Sequence, residues 1–255
     1  MKEKKFLLWE LYHENTKLHP HLVHHLMPEE KKLYDFMLKN KKHYPWVKKI
    51  TLNTEKKLNV ALGDILMKRR SIRNFSRGKI HFGDISALLK FSYGVSGVIS
   101  LNSKPYNLYT SPSAGALYSC MIYLVAINVE KLRQGVYYYN PDISSLEVIK
   151  SEGAVEKQFK DCLTQPEMFP HFALAIIIVA DMEKIFYKYG ERGYRYVLLD
   201  AGHIGENVYL VATALNLGVV GVEGFYDDGL SNLLGLKKRE VPLYVLLVGK
   251  KEDKL

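Results

Sequence analysis

The amino-acid sequence predicts an α+β fold, and three of its segments carry that prediction. Residues 135–140 and 146–149 are rich in aromatic and β-branched side chains. A Pro-Asp turn signature separates them, so they predict an antiparallel hairpin. The continuous apolar run 173–180 has the length of a strand buried on both faces. Residues 194–217 predict a long helix whose apolar positions cover more than half of its circumference. Antiparallel strands combined with long helices define the α+β class.

The remaining elements are predicted from turn residues and apolar periodicity. The first 58 residues are rich in His, Lys and Tyr, and Pro20, Pro28 and Pro45 divide them into short pieces. They predict a helical arm that packs on a body formed by residues 59–255. The segments expected in that body are a helix over 59–69, a helix over 84–93 with Asp84 as its cap, a loop over 101–116, and strands over 120–127, 219–222 and 243–248.

Composition argues against several classes of function. The net charge is +9, but the lysines concentrate in the first 60 residues without forming an aromatic-studded stripe. This pattern predicts a solvated surface and no nucleic-acid site. No apolar run approaches the roughly 20 residues of a membrane-spanning helix, and the opening MKEKK is unlike a secretory signal. Cys120 and Cys162 are isolated in the sequence, which argues against a disulfide framework and favours the reducing cytoplasm.

The arm contains four closely spaced histidines, a residue type that binds metals. No carboxylate or thiol lies at ligand spacing among them, and Pro20 interrupts the segment. We therefore expect a surface or interfacial arm and no metal site for the set His19, His21, His24 and His25.

A cluster of arginines follows the predicted helix 59–69. Guanidinium groups bind phosphate through paired hydrogen bonds, so the cluster is a candidate phosphate site. The alternative is a helix C-terminus whose cations complement the helix dipole. The residues concerned are Arg69, Arg70, Ser71 and Arg73.

Two segments of small residues are candidates for close approach to a flat ligand. In the loop 111–118 (SPSAGALY), small side chains leave backbone N–H groups free to bind a ligand, although an ordinary loop before a strand has the same composition. The glycine-rich segment 218–224 (GVVGVEG) lacks the spacing of a dinucleotide fingerprint. It could lie edge-on to an aromatic ring system, or it could simply allow close packing of helix and strand.

Taken together and in this order, these segments resemble the nitroreductase superfamily. The resemblance rests on RRSIR at 69–73, SPSAGALYS at 111–119, and the long helix followed by LGVVGVEGF at 217–225. Two further motifs resemble the SagB-type dehydrogenases within that superfamily, namely YHENTK at 12–17 and KYGERGYR at 188–195, which runs into LDAGH. The resemblance extends from residue 12 to about Lys250.

The resemblance implies a nitroreductase-like fold, in which a central, mostly antiparallel sheet is flanked by helices and a homodimer binds FMN at its interface. The arginine cluster would hold the flavin phosphate and ribityl chain, with a further phosphate contact from Lys250. The loop that lines the ring would come from the partner subunit and consists of Pro112, Ser113, Ala114 and Gly115. The segment beside the ring would be Val222, Glu223 and Gly224, with the last two at the flavin N5 edge.

SagB-type enzymes include azoline dehydrogenases, so the resemblance implies oxidation of azoline-type rings or related bonds in a peptide or small-molecule substrate. Such an oxidation needs a base for a carbon-bound proton, while FMN accepts the hydride. The family's catalytic Lys-Tyr pair matches Lys188 and Tyr189. We expect the Lys188 ammonium to lower the pKa of the Tyr189 phenol, so that Tyr189 is the base that removes the proton. The alternative is that both residues simply begin the long helix at the surface.

Three functions therefore remain open. The first is the dehydrogenase, with a cyclodehydratase as a further partner. The second is a reductase of nitro compounds or quinones that uses NAD(P)H. The third is a flavin-binding scaffold subunit of a biosynthetic complex. The Lys188-Tyr189 motif favours the first of these.

Overall fold

A seven-stranded antiparallel sheet forms the centre of the protein. The computed structural model describes residues 7–18, 28–53 and 55–252. Its strands are β1 (Lys49–Thr51), β4 (Cys120–Ala126), β5 (Gly135–Asn140), β6 (Ser145–Lys150), β7 (Leu174–Asp181), β8 (Leu217–Val222) and β9 (Glu240–Lys250). Along the sheet they follow the order β1, β6, β5, β4, β7, β9, β8, and every neighbouring pair is antiparallel. The remaining strands, β2 (Val95–Leu101) and β3 (Lys104–Tyr109), form a separate hairpin.

Helices cover both faces of the sheet, and each face has its own core. On β7, Ile176 and Ile178 pack into one core, whereas Ile177 and Val179 pack into the other. This double burial is why the strand has a continuous apolar sequence. The helices are α1 (Leu8–Asn15), α2 (Glu30–Lys39), α3 (Leu62–Lys68), α4 (Phe82–Tyr93), α5 (Val155–Lys160), α6 (Met182–Tyr189), α7 (Gly193–Ala214) and α8 (Asp227–Leu234). The predicted α+β class, with an antiparallel sheet flanked by helices, is confirmed.

The long helix α7 lies with α4 and α6 on one face of the sheet, while α5 and α8 lie on the other. It spans 22 residues. Its buried side includes Val197, Ile204 and Val208, but Leu198 and Leu199 are 44% and 63% exposed. One chain therefore leaves part of this apolar helix uncovered.

Two local predictions were wrong. The segment 101–116 is not all loop, because Lys104–Tyr109 pairs with Val95–Leu101 in a hairpin. The turn residues Asn102 and Ser103 both have positive φ angles, 47° and 59°. An Asn-Ser pair is a weaker hairpin signal than Asn-Gly, so the sequence of this segment does not predict the hairpin. Asp84 does not cap α4; the helix begins two residues earlier, and the Asp84 carboxylate forms an ion pair with Lys56.

Part of the N-terminal region joins the body. Strand β1 pairs with β6 in the main sheet, and Leu33 and Met37 of α2 enter the core. The histidine cluster predicted to be a surface or interfacial arm lies outside the described residues. Within the described part of the chain, no group of three or more potential ligands is arranged to hold a metal. No helix in that part is long and apolar enough to cross a membrane, and both cysteines are buried and free.

Candidate active site

The loop before β4 is held by one buried carboxylate of α7. Asp200 accepts a hydrogen bond from the Ser113 hydroxyl at 2.7 Å and from the Ala114 backbone N–H at 3.1 Å. The same Ser113 oxygen accepts the Tyr118 backbone N–H at 2.9 Å. Asp200 is only 4% exposed. A carboxylate with several donors can fix a loop whose backbone would otherwise be free.

That loop has a strained backbone. Gly115, Ala116 and Tyr118 have φ angles of 58°, 53° and 49°, all in the left-handed region. Glycine adopts this conformation without strain, but each of the other two residues costs roughly 1–2 kcal/mol. Strain of this kind persists only where surrounding contacts enforce it, as Asp200 does here, and it is concentrated at functional sites.

The predicted catalytic pair lies directly against Gly115. A Cβ atom added to that glycine would come within 2.3 Å of the Tyr189 hydroxyl and 2.4 Å of the Lys188 amine. Lys188 and Tyr189 end α6, and the Lys188 amine lies 5.2 Å from the centre of the Tyr189 ring. The structure thus brings together a small-residue loop and a Lys-Tyr pair that are more than 70 residues apart in the sequence.

The electrostatics of the pair differ from the sequence prediction. Burial raises the pKa of Tyr189, with smaller contributions from Tyr196 and Asp200. Burial also lowers the pKa of Lys188. The expected lowering of the phenol pKa by the neighbouring ammonium was therefore wrong, because burial is the main influence on the phenol in this half-buried site and Lys188 is not among the groups that shift its pKa. The geometry favours a protonated phenol beside an amine that loses its proton more easily than an ordinary lysine.

The two motifs that carry the SagB-type resemblance contact each other. Arg195 donates a hydrogen bond to the His13 carbonyl at 2.6 Å, and Arg192 donates to the Thr16 carbonyl at 2.7 Å. In return, the Tyr12 hydroxyl donates to the backbone carbonyl of Glu191 at 3.1 Å. Helix α1 is thereby fastened to the turn that joins α6 to α7, next to the Lys-Tyr pair.

The arginine cluster lies at the other end of α7, beside the edge strand β8. The Arg69 guanidinium lies 5.5 Å from the centre of the Tyr209 ring, and the Ser71 hydroxyl is 3.2 Å from the Tyr209 hydroxyl. Among the described residues, Arg70 donates to the backbone carbonyls of Met67 and Arg69 and to no other acceptor. Arg70, Ser71 and Arg73 are exposed.

The glycine-rich strand is explained mainly by packing within the chain. A Cβ on Gly221 would meet the Tyr244 hydroxyl at 2.1 Å, and one on Gly218 would meet Ile72 at 3.0 Å. The Tyr209 hydroxyl also accepts the Gly221 N–H at 2.6 Å, so it links this strand to Ser71. These contacts support the packing alternative for both glycines.

The remaining predicted site residues lie at the end of β8, in the loop that follows it, and at the end of β9. Val222 is buried at the end of β8, whereas Glu223 and Gly224 are exposed in the loop that follows. The Gly224 carbonyl accepts the Thr164 N–H at 3.0 Å. Lys250 ends β9, and its backbone carbonyl accepts a hydrogen bond from the segment that follows the arginine cluster.

Within one chain the candidate residues form two groups joined by α7. Asp200 holds the loop and Lys-Tyr group, and Tyr209 contacts the arginine group. Nine residues of helix separate them, or about 13.5 Å at 1.5 Å per residue. Asp200 and Tyr209 were not among the predicted site residues. The sequence signal was weak, because a carboxylate or phenol in a long helix acquires a role only when the fold shows what it contacts.

Removing the Asp200 carboxylate should destabilise the protein. We expect Asp200→Ala to lower the free energy of unfolding by about 1–3 kcal/mol, because the Ala114 N–H and Ser113 hydroxyl lose their acceptor. Asp200→Asn should cost less, since its amide oxygen can still accept one of these bonds. Urea unfolding measures both, with the exposed Asp161→Ala as control. Equal stability of Asp200→Ala and Asp161→Ala would contradict the role of Asp200.

Comparison with known proteins identifies the class of this fold and then its family. The structure superposes on a nitroreductase-type structure from Anabaena variabilis with a TM-score of 0.69 and 29% identity, covering 82% of this chain and 42% of that one. It also superposes on a chain of the Escherichia coli microcin synthetase McbBCD complex, solved with truncated pro-MccB17 bound. That match has a TM-score of 0.65 and 22% identity and covers 96% of this chain and 92% of the other, and it shows the fold alone.

The family follows from the sequence matches. The model of the nitroreductase family matches residues 66–250. A Methanocaldococcus jannaschii protein named as a nitroreductase is 37% identical over 193 residues, or 75% of this chain and 92% of that protein. The microcin B17-processing protein McbC of Escherichia coli is 32% identical over 149 residues, or 56% of this chain and 54% of McbC. The chain belongs to the nitroreductase family, a family of oxidoreductases.

Proposed function

We propose that the chain is an FMN-dependent dehydrogenase of the SagB type that oxidises azoline-type rings or related bonds in a peptide or small molecule. The observation that carries the proposal is the contact of Lys188 and Tyr189 with the strained loop at Gly115. The docking of the YHENTK motif on the neighbouring turn supports it. So does the identity of 32% with a protein named for microcin B17 processing.

The residues present fit a flavin mononucleotide. None of the ion pairs among the described residues involves Arg69, Arg70 or Arg73, so these guanidiniums have no carboxylate to displace before they bind a phosphate. Gly115 and Gly224 are both exposed and present backbone without a side chain. We assign the arginine group, with Ser71 and Lys250, to the phosphate and ribityl chain. The 112–115 loop and residues 222–224 are assigned to the ring.

The cofactor would supply the electron chemistry, since bound FMN accepts a hydride equivalent from its substrate. The proton is then left to the protein. We assign the role of base to Lys188, whose pKa is lowered by burial. Tyr189, whose pKa is raised, remains protonated and donates a hydrogen bond that orients the substrate. Asp200 supports both by holding the loop that contacts them.

The cofactor assignment is tested by the released chromophore. Purified protein should show a flavin absorbance spectrum, and denaturation should release FMN in a ratio that approaches one per chain. The reason is that the arginine cluster can bind one phosphate and the chain lacks a dinucleotide fingerprint. Mass spectrometry of the supernatant identifies the flavin. Release of FAD alone, or failure to bind FMN after reconstitution, would contradict the assignment.

We further propose that two copies of the chain build the site. Leu198 and Leu199 of α7 are exposed, and so are Leu66 and Met67 of the neighbouring helix α3, at 51% and 76%. The two helices contact each other, and exposed apolar side chains on adjacent helices are typical of an interface. A second copy on this face would also cover α7, the helix that joins the two groups of candidate residues.

Light scattering should therefore give about twice the 29.3 kDa mass of the chain. Leu199→Asp places a charge in the proposed interface, so we expect it to shift the protein toward monomer and to lower its flavin content. Ile143→Asp is the matched control, since Ile143 is 51% exposed in the turn between β5 and β6. A monomeric wild-type protein that retains its flavin would rule out the shared site.

A second candidate is an NAD(P)H-dependent reductase of nitro compounds or quinones, which the 37% identity with the Methanocaldococcus protein favours. An azoline-containing peptide and a simple quinone should be assayed side by side with the same preparation. Oxidation of the azoline supports the dehydrogenase, while steady NAD(P)H consumption with the quinone alone supports the reductase. Because the similar microcin synthetase chain is part of a complex, the azoline assay is run with and without a cyclodehydratase.

A further inference from the structure

A basic cleft lies beside the N-terminal end of α6. It has a volume of about 340 Å³ and is bounded by residues 39–42, the junction of β7 with α6, and residues 237–240. Seven of its lining side chains are cationic and three are acidic. The exposed cations at its mouth are Lys39, Lys237, Lys238 and Arg239.

The floor of the cleft is formed by a buried lysine. Lys184 is 7% exposed, and it lines both the cleft and a smaller cavity of about 40 Å³ behind it. Its ammonium has three donor hydrogens, but the described residues supply one acceptor, the Tyr118 carbonyl at 3.3 Å. Burial lowers the pKa of Lys184 to about 8 despite the nearby Asp181. A buried, under-satisfied ammonium is costly unless something compensates it.

The acidic residues of the cleft do not supply that compensation. Glu183 is exposed and forms no ion pair with Lys184. The Glu240 carboxylate forms an ion pair with Lys42 at 2.5 Å and accepts the backbone N–H of Lys237. Asp181 accepts the backbone N–H of Lys184 as the cap of α6 and not its ammonium. The four cations at the mouth form no ion pair within the described part of the chain. The cleft therefore has an excess of positive charge from its mouth to its floor.

We propose that this cleft binds a small multivalent anion carrying phosphate or carboxylate groups, with Arg239 at the mouth and Lys184 at the floor. A volume of about 340 Å³ lies within the roughly 300–1,000 Å³ of small-molecule pockets. Arginine and lysine are the side chains that bind such groups through charge-assisted hydrogen bonds.

The site is connected to the candidate active site through one hydrogen bond. Lys184 donates to the carbonyl of Tyr118, which ends the loop that Asp200 holds. An anion that draws the ammonium toward the cleft competes for this bond. The anion site is thus placed to alter the loop at Gly115, whatever reaction that loop serves.

Isothermal titration calorimetry of the full-length protein tests the proposal, with pyrophosphate and citrate as separate probes. We expect saturable binding at one site per chain by at least one of them. Lys184→Met and Arg239→Gln should each weaken it at least about tenfold, the usual effect of losing one charge-assisted contact. Lys104→Gln, an exposed lysine on the β2–β3 hairpin, should bind as the wild type does. Thermal unfolding of each variant establishes that it is folded. If the buried substitution Lys184→Met prevents folding, the surface substitution Arg239→Gln decides the test.

The two probes separate the sources of the anion. Binding of pyrophosphate alone identifies a phosphate site, and binding of citrate alone identifies a carboxylate site. Three results would overturn the proposal: no saturable binding of either probe, equal weakening by Lys104→Gln, or saturable binding of an oligoglutamate peptide where neither probe binds. Because the readout is binding, the result is independent of whether the chain oxidises an azoline.

Discussion

Lys188→Met is expected to lower azoline turnover by at least about a hundredfold while the flavin content stays at the wild-type level. Lys188 is the group whose pKa is lowered by burial beside the strained loop, so it is the better base of the pair. Methionine keeps the length and apolar stem of the side chain but cannot accept a proton. Tyr189→Phe removes only the hydroxyl, and we expect a large but smaller loss, because orientation and not proton transfer is affected.

The pH profile separates these roles. A base acts in its neutral form, so turnover should rise with pH and level off above the Lys188 pKa, which lies below the ordinary 10.5. The phenol of Tyr189 has a raised pKa and stays protonated over this range. The rising limb should be absent in Lys188→Met and retained in Tyr189→Phe. Tyr187→Phe, one residue before Lys188 and exposed, is the matched control and should behave as the wild type.

If Lys188→Met oxidises the azoline at the wild-type rate, the residue has no part in proton transfer. Loss of flavin from the variant would instead assign it a structural or cofactor-binding role. If the chain is a reductase of quinones or nitro compounds, neither variant should slow reduction, because hydride passes through the flavin without a proton being taken from carbon.

Arg73→Ala is expected to weaken FMN binding about ten- to hundredfold. A charge-assisted contact to phosphate contributes roughly 1.5–3 kcal/mol, which corresponds to that change in the dissociation constant. Arg73 is exposed and forms no ion pair among the described residues, so the substitution removes a free guanidinium without breaking an ion pair of the fold. Titration of flavin-free protein, followed by quenching of flavin fluorescence, measures the affinity.

Two comparisons make this test specific. Arg69→Ala should weaken binding as well, but it also removes a cation–π contact with Tyr209, so its thermal stability must be measured in parallel. Arg77→Ala removes an exposed arginine four residues beyond Arg73 and should leave the affinity within about twofold. Equal, small effects at all three positions would mean that the cluster is only surface charge.

Sequence periodicity was sufficient to predict the strands and helices whose burial is uniform along their length. Residues 174–180 are buried on both faces of the sheet, so the continuous apolar run 173–180 predicted the strand. The hairpin of β5 and β6 has a turn signature between two β-branched segments. By contrast, the hairpin of β2 and β3 is largely exposed and turns at Asn-Ser. Its sequence therefore has neither an alternating apolar pattern nor an Asn-Gly pair to predict it.

The sequence by itself determined the fold class, the family and the chemical types of residue present at the candidate site, because these depend on local pattern and on motif order. Tertiary structure decided which residues meet. Asp200 is 87 residues from Ser113 in the chain, and only the packing of α7 on the sheet makes it the acceptor that holds the loop. Tertiary structure also decided the directions in which the pKa values of Lys188 and Tyr189 shift. Charge attraction between neighbours can be read from sequence, but the cost of losing hydration depends on what the rest of the chain places around them.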